Sequence, residues 1–512
     1  MWSTWWLNIS NINGNQLVAG AFFTVVFAVL WLRLSTKISS QLPPGPRGLP
    51  LIGYIPFLTS DLHLEFFKLA TLYGPIYKLW FANQLTIVIN SPSLIKEVVR
   101  DQDIIFANRD TTVSARIMSF GGHDIAFSPY GSEWKKLRKI FVREILNNSV
   151  LDSLYSLRKD EVKNTIKRVY GNKGKPVDVG ELAFLTAMNS VTRMLCGTAS
   201  LQGEKGVLDG ARFKETAAEL MVLLGKPNVS DIFPALAWLD LQGVGRDTRR
   251  VTRVFEVMFD HVMEQRKKEK TTRNDLLQCL LELHESQDSQ RSISMEQLKA
   301  LLMNIVLGGT DTTSTMVEWA MAELLKNPEA MTKVQEEVTQ VVGSNNSLEE
   351  FHLPKLAYLE AVIKETFRLH PALPLLAPRC PTQSTTIGGY KIPKGSRIFL
   401  NVGVVQKDPS IWENPLEFRP ERFLMNNASS FDLAGNNLNF LPFGSGRRLC
   451  PGIPLADRML KYVMASFLHL FDWKLPAGAK IDLSDKFGIV VKKKERVVAI
   501  PTPRFDNLEL YL

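Results

Sequence analysis

The sequence predicts a mainly α-helical fold with a minor β region, built as one large domain. Three observations carry this. From Ser91 onward apolar residues recur mostly at helical spacing, most clearly from about Met295 to Leu325. Strand-like runs are short and few: Ile76–Leu79 and Thr86–Ile89 early in the chain, Gly388–Ile392 and Arg397–Val402 later. No internal repeat is visible, so one helical body with a small sheet region fits better than several domains.

The elements follow in chain order. Residues 1–32 carry no charged side chain, and Leu17–Leu32 (LVAGAFFTVVFAVLWL) is dominated by apolar residues. As a helix this run reaches about 24 Å, somewhat short of a hydrocarbon core of about 30 Å. Trp31 at one end, and Trp2, Trp5 and Trp6 beyond the other, are rings that favour interfaces. A cleaved signal peptide is the alternative, but no basic stretch precedes the run and no A-x-A site follows it. Arg33 and Lys37 follow directly, which places the rest of the chain in the cytosol by the positive-inside rule. The expected organisation is a signal anchor over 1–37, a proline-rich hinge over 38–56 and the main domain over 57–512. The prolines of Leu42-Pro43-Pro44-Gly45-Pro46 fix φ and make the hinge a semi-rigid spacer.

Composition narrows the function classes. Hydrophobic residues are 45% and charged residues 22% of the 512, which permits a large core. Basic residues exceed acidic ones by 61 to 52, a balance of +9 that suits an anionic membrane surface or an acidic partner. Nucleic acid is not expected, because no basic run is interleaved with aromatics. The four cysteines, Cys196, Cys279, Cys380 and Cys450, are far apart, as in a reducing compartment. One of them is then available for chemistry.

That one is Cys450. Its surroundings, Pro442-Phe443-Gly444-Ser445-Gly446-Arg447-Arg448-Leu449-Cys450-Pro451-Gly452, make a poor helix or strand. Glycines permit close backbone approach, and arginines supply cationic donors. A thiolate ligand needs nearby positive charge and backbone donors. A surface turn holding a structural cysteine is the plain alternative. Phe443, Gly446, Arg448, Cys450 and Gly452 complete F-x-x-G-x-R-x-C-x-G, which resembles the haem-binding signature of the cytochrome P450 superfamily. The resemblance implies the P450 fold, a haem b held by the Cys450 thiolate, and a single haem domain behind an N-terminal membrane helix.

Further motifs stand in that family's order. Gly308-Gly309-Thr310-Asp311-Thr312-Thr313 lies inside the 295–325 helical pattern, where two glycines cost about 1 kcal/mol each against alanine. The resemblance implies a locally opened helix beside the haem, with Asp311 and Thr312 delivering protons; tight helix crossing would explain the glycines alone. Glu365 and Arg368, three residues apart on one helix face, look like the E-x-x-R pair. With Arg422 of Pro420-Glu421-Arg422-Phe423 they imply a structural network bracing the cysteine loop. Trp134 and Arg138 match W-x-x-x-R, whose members bind a haem propionate, and Arg109, Arg379 and Arg448 would lie near the propionates too. Asn401-Val402-Gly403 departs from related plant enzymes, which commonly have Trp at the third position. That bears on local packing, not on haem ligation.

The anchor, hinge and motifs together look like a plant microsomal enzyme. Finer phrases such as Ile105–Asp110 and Asp124–Gly131 resemble a plant subgroup that hydroxylates sesquiterpenes, some members acting on flavonoids. The expected pocket lining is Asn304, Leu307, Gly308, Leu373, Leu376, Ala377 and Ile489, with no charged side chain for an ionic substrate. The implied function is an NADPH- and O2-dependent monooxygenase of a small hydrophobic sesquiterpenoid, with a flavonoid hydroxylase as the alternative. Electrons come from a flavoprotein reductase docked on Lys135, Lys136, Lys139 and Arg143, with cytochrome b5 as a further partner. The expected location is the endoplasmic reticulum membrane. A reductase-independent isomerase or dehydratase and a non-enzymatic haem sensor are the readings from other classes. Neither needs the intact Asp311–Thr312 pair.

Overall fold

The structure, a computed structural model, describes residues 41–197, 210–268, 275–425 and 431–512. The expected anchor over 1–37 lies outside the described residues. Among the described residues no helix is long and apolar enough to cross a membrane.

The longest helix, Met295–Lys326, is the axis of the molecule. Ser294 caps it: its hydroxyl accepts from the Gln297 amide, while the Gln297 side chain accepts from the Ser294 amide. At about 48 Å it spans the whole body, and apart from a narrow face it is buried on all sides. The helix Val179–Cys196 crosses it closely. A Cβ placed on Gly309 would sit 3.0 Å from Val191 Cγ2, and one on Gly180 would sit 2.7 Å from the Glu318 side chain. Gly309 is therefore a packing glycine. The helix does not open at Gly308–Thr313 as expected; it runs on as continuous α-helix. The Thr310, Thr312 and Thr315 hydroxyls donate to the carbonyls of Val306, Gly308 and Asp311. The polar side chains thus bond within the helix instead of breaking it.

Ile453–Leu470, Pro328–Val342, Ala357–Leu369, Tyr155–Gly171 and Val244–Lys268 are among the further helices that pack around one large apolar core. The β region is minor, as the sequence indicates. Ile76–Phe81 pairs antiparallel with Gln84–Ile89, which pairs in parallel with Arg397–Leu400. Thr385–Ile387 and Tyr390–Ile392 form a hairpin. A second sheet, not anticipated, joins Val177–Asp178, Val498–Pro503 and Phe471–Lys474.

The described part of the proline-rich hinge does not stand free as a spacer. Leu42 is buried against the first sheet, Lys78 Nζ donates to the Pro43 carbonyl at 2.6 Å, and the Tyr54 amide donates to Trp80 O at 2.7 Å. The departure at Gly403 also has a packing reason. Its amide donates to Pro374 O at 3.0 Å, and an added Cβ would lie 2.9 Å from Pro374 Cβ. A large side chain there would push the 372–377 loop away.

Glu365 and Arg368 hold the body to the loops beneath it. Both side chains are fully buried, and the guanidinium grips the carboxylate through Nε at 2.7 Å and Nη2 at 2.8 Å. Arg422 Nε adds a bond of 2.9 Å to Glu365 Oε1, and Arg368 Nη1 reaches the carbonyls of Gln406 and Pro415. Breaking such a buried pair costs about 3–5 kcal/mol, because a charge is left without a partner. Lysine lacks the planar fork that fits both oxygens. Arg368→Ala and Arg368→Lys should both sharply reduce the yield of folded, haem-loaded protein, measured as haem absorbance per milligram. A near-normal yield of the lysine variant would show that charge alone suffices.

Candidate haem-thiolate site

The cysteine loop is shaped by contacts from distant segments of the chain. The Cys450 amide donates to Phe443 O at 3.1 Å, closing the loop on itself. Phe443 packs edge-on against Phe367 of the E-x-x-R helix, with ring centroids 5.1 Å apart. Gln406 ties the two together. Its amide nitrogen donates to the Phe367 and Arg368 carbonyls, and its oxygen accepts from the Leu441 amide at 2.9 Å. Gly446 has φ 70°, and a Cβ there would lie 2.7 Å from both Asp103 Oδ1 and Val99 O. Only glycine fits that turn.

Asp103 organises the positive side of the loop. It accepts from Arg379 Nη1 at 3.1 Å and from the Arg447 amide at 2.9 Å, while Arg379 Nη2 donates to Ser445 O. Arg448 donates to the carbonyls of Ala107, Ile125 and Ser128 and stacks over Trp134 at 4.3 Å. Trp134 Nε1 donates to Ile125 O, and Arg109 to the carbonyls of Ala126, Ala377 and Pro378. Arg138 has no hydrogen-bond partner among the described residues, and Cys450 lies within its field.

The electrostatics of this cluster are strained. Burial holds Arg109 well below the ordinary guanidinium range, and Arg448 and Arg379 beside it add to the effect. Burial and the neighbouring Arg379 push Arg448 down to about 9. Arg379 and Arg138 are lowered by burial as well. Asp103 and Asp124 oppose this, but Asp124 is itself raised by burial. Burial also raises the Cys450 thiol, against the opposing pull of the Gly452 amide and Arg138.

On the long helix, Gly308 is exposed in the middle of an otherwise buried run, and a Cβ placed on it would meet nothing within 4 Å. Thr312, one turn on, shares that open face and donates to Gly308 O at 2.7 Å. Cys450, Arg109 and Arg138 also keep accessible surface although they lie deep in the fold. Accessible surface in the interior is the wall of a cavity. A soft ligand sulfur, cations short of anions, and an open glycine face on the long helix fit a flat iron cofactor bearing carboxylates.

A model of the cytochrome P450 family matches residues 43–500. The chain belongs to the cytochrome P450 family. It is 35% identical to a 3,9-dihydroxypterocarpan 6A-monooxygenase of Glycine max over 94% of this chain and 97% of that protein. A flavonoid 3'-monooxygenase of Petunia hybrida is also 35% identical, over 96% and 99%. A flavonoid 3',5'-hydroxylase of Solanum melongena is 33% identical, over 94% and 96%. A zebra fish cytochrome P450 solved with abiraterone superposes with a TM-score of 0.72 at 26% identity, covering 86% of this chain and 99% of that one. The protein is a P450 monooxygenase, and membership implies a haem with a cysteine thiolate on its iron.

Of the expected lining, Gly308 borders the open face, and Leu373, Leu376, Ala377 and Ile489 are half-buried. Leu376 adopts φ 49°, a conformation that costs a branched residue about 1–3 kcal/mol, so its loop is firmly held. Leu307 is buried. The Asn304 amide is already committed: Nδ2 donates to Asp124 Oδ2, and Oδ1 accepts from the Ile125 amide, both at 3.1 Å. It fastens the 124–128 loop to the long helix. Asp103, Gln406 and the partner of Asp311, Lys492, escaped the sequence reading. Each lies far in sequence from the motif it serves.

Cys196 and Cys380 are buried, and Cys279 is half-buried. Burial pushes Cys279 and Cys380 to about 11. Cys450→Ser should therefore abolish the reduced carbon-monoxide band that gives the family its name, whereas Cys380→Ser should keep it. Survival of the band in Cys450→Ser would overturn the ligand assignment.

Proposed function

We propose that this P450 hydroxylates a flavonoid-class substrate, using NADPH and dioxygen with electrons from a flavoprotein reductase. The observation that carries the substrate class is the set of relatives named as flavonoid hydroxylases, which align with nearly the whole chain. Among the relatives found here they favour the flavonoid reading over the sesquiterpenoid one. The geometry agrees. Leu373, Leu376, Ala377 and Ile489 are apolar or small, and the bare Gly308 lets a flat ring lie close to the long helix.

When bound, the haem supplies the one-electron and dioxygen chemistry. Cys450 would hold it, and Arg138 and the neighbouring guanidiniums would neutralise its carboxylates. Thr312 keeps its own proton on the Gly308 carbonyl, which leaves its oxygen free to accept. Asp311 is buried beside it and has one carboxylate oxygen without a partner. An acid next to a hydroxyl can pass protons in steps toward the open face. The reductase would dock on Lys135, Lys139 and Arg143, which are exposed, with Lys135 and Arg447 flanking the Tyr130 ring. Lys136 is turned aside to Ser289 O. Electrostatic matching of this kind acts chiefly on encounter rate. Residues 1–37 would anchor the protein in the endoplasmic reticulum with the body in the cytosol, for the charge and length reasons given above.

Reconstituted with reductase and NADPH, the enzyme should add one oxygen atom to a flavone or flavanone, detected by mass. Turnover of sesquiterpenes with no flavonoid product would reverse the substrate assignment. Protease added outside sealed microsomes should digest the body of the full-length chain. A body protected until detergent is added would reverse the topology.

A further inference from the structure

The long helix carries a buried acid whose partner comes from the other end of the chain. Asp311 Oδ1 pairs with Lys492 Nζ at 2.5 Å; the Asp311 side chain is 7% exposed and the Lys492 side chain 41%. Asp311 Oδ2 is buried with no hydrogen-bond partner. A carboxylate placed this way is costly unless one strong contact holds it. Lys492 is that contact, and it is also the link between the acid and bulk water.

Lys492 is not independent of the substrate side. It lies in the short strand Lys492–Lys493, paired with Asp485–Lys486, and it directly follows the Phe487–Val491 segment. That segment meets the Leu373 side of the expected pocket and the end of the helix Gly210–Gly225. The Val491 amide donates to Ala372 O at 2.9 Å, next to Leu373, and the Ile489 amide nitrogen lies 3.0 Å from where a Cβ on Gly225 would sit. The same hairpin is strapped along the long helix at further points. Trp319 Nε1 donates to Val491 O, Lys493 Nζ lies 4.8 Å over the Trp319 ring, and the Val497 amide donates to Glu318 Oε1.

The hairpin faces several charged groups: Asp485 in its first strand pairs with His63 Nε2 at 3.0 Å, and Lys407, Glu318 and Glu323 lie within reach of its charges. Glu318 stands two turns beyond Asp311 on the same helix. Burial raises its carboxyl, Asp178 adds to that, and Lys493 and Lys492 oppose it. Asp178 is itself approached by Arg496. Lys493 is turned to the Asp482 carbonyl, so Lys492 is the cation that Asp311 meets directly.

We propose that Lys492 is the positioning residue for Asp311, and that it ties this carboxylate to the substrate-contact hairpin. A substrate seated against Ile489 fixes the hairpin, the hairpin fixes Lys492, and Lys492 holds Asp311 at the working angle. A poorly seated substrate lets the hairpin move and misaligns the acid. Electrons are then consumed without product. This rests on the reading of Asp311 as a proton donor.

The test uses the full-length, haem-loaded enzyme with its reductase and the flavone apigenin as probe. Wild type is compared with Lys492→Met, Lys492→Gln, Lys492→Arg and Asp311→Asn, each first checked for an intact reduced carbon-monoxide band. Product formed per NADPH should fall about 10-fold in Lys492→Met and Lys492→Gln, with hydrogen peroxide rising in compensation and KM little changed. Lys492→Arg should restore most of the loss, since it keeps the cation. A second readout needs neither substrate nor turnover. In the resting enzyme the amides of 485–493 should exchange with deuterium roughly tenfold faster in Lys492→Met than in wild type or Lys492→Arg. If Asp311→Asn uncouples the enzyme while Lys492→Met stays coupled, Lys492 has no positioning role. If Asp311→Asn is fully coupled, the proton-donor reading of Asp311 falls, and this proposal with it. Unchanged exchange across 485–493 would break the tie to the hairpin.

Discussion

The rest of the structure depends on one electrostatic imbalance: several guanidiniums are buried around Cys450 with too few carboxylates to neutralise them. Arg109, Arg379, Arg448 and Arg138 are all lowered by burial, and the acids beside them are Asp103 and Asp124. Cations brought into a low-dielectric interior need compensating anions or hydrogen bonds. Carbonyl groups of the 107–128 and 377–378 segments supply part of the answer for Arg448 and Arg109. They leave Arg138 without a partner among the described residues, a place for an anion that the protein does not itself provide. The same burial that strains the arginines raises the thiol, so a metal on sulfur and carboxylates on the guanidiniums relieve both strains together.

Holding such a site requires a rigid support. Glu365, Arg368 and Arg422 form one buried network, and Gln406 carries its order to Leu441, just ahead of the cysteine loop. The network therefore acts by position: it touches neither the thiol nor the open face over Gly308. Above the site, the crossing at Gly309 presses the long helix against Val179–Cys196, while the turn bearing Gly308 stays bare. Neighbouring glycines serve opposite purposes, close contact on one side and room on the other.

Much of this was legible in the sequence, and what was missed has physical reasons. The long helix was readable from its periodicity, and the early strands from theirs. The strand Val498–Pro503 was hidden because Pro501 and Pro503 cannot donate to a ladder and weaken a strand pattern. Phe471–Lys474 was hidden because it follows the helix ending at Leu470 with no turn between them. The cysteine loop and the E-x-x-R pair are local in sequence, so their resemblance to the family's motifs exposed them. Their partners are not local. Asp103 meets Arg379 across 276 positions and Lys492 meets Asp311 across 181, and no short pattern encodes either contact. The expected opening of the long helix is not seen: the helix runs unbroken through Gly308–Thr313, and the threonine hydroxyls bond to carbonyls of the same helix.

The central claim is that Cys450 sulfur is the protein's ligand to the haem iron, and X-ray absorption at the iron edge tests it most directly. The account predicts a sulfur neighbour on iron in the purified wild-type enzyme, absent from Cys450→His and unaffected by Cys380→Ser. A wild-type spectrum with only nitrogen and oxygen neighbours would contradict it, as would a sulfur neighbour that persists after Cys450 is replaced.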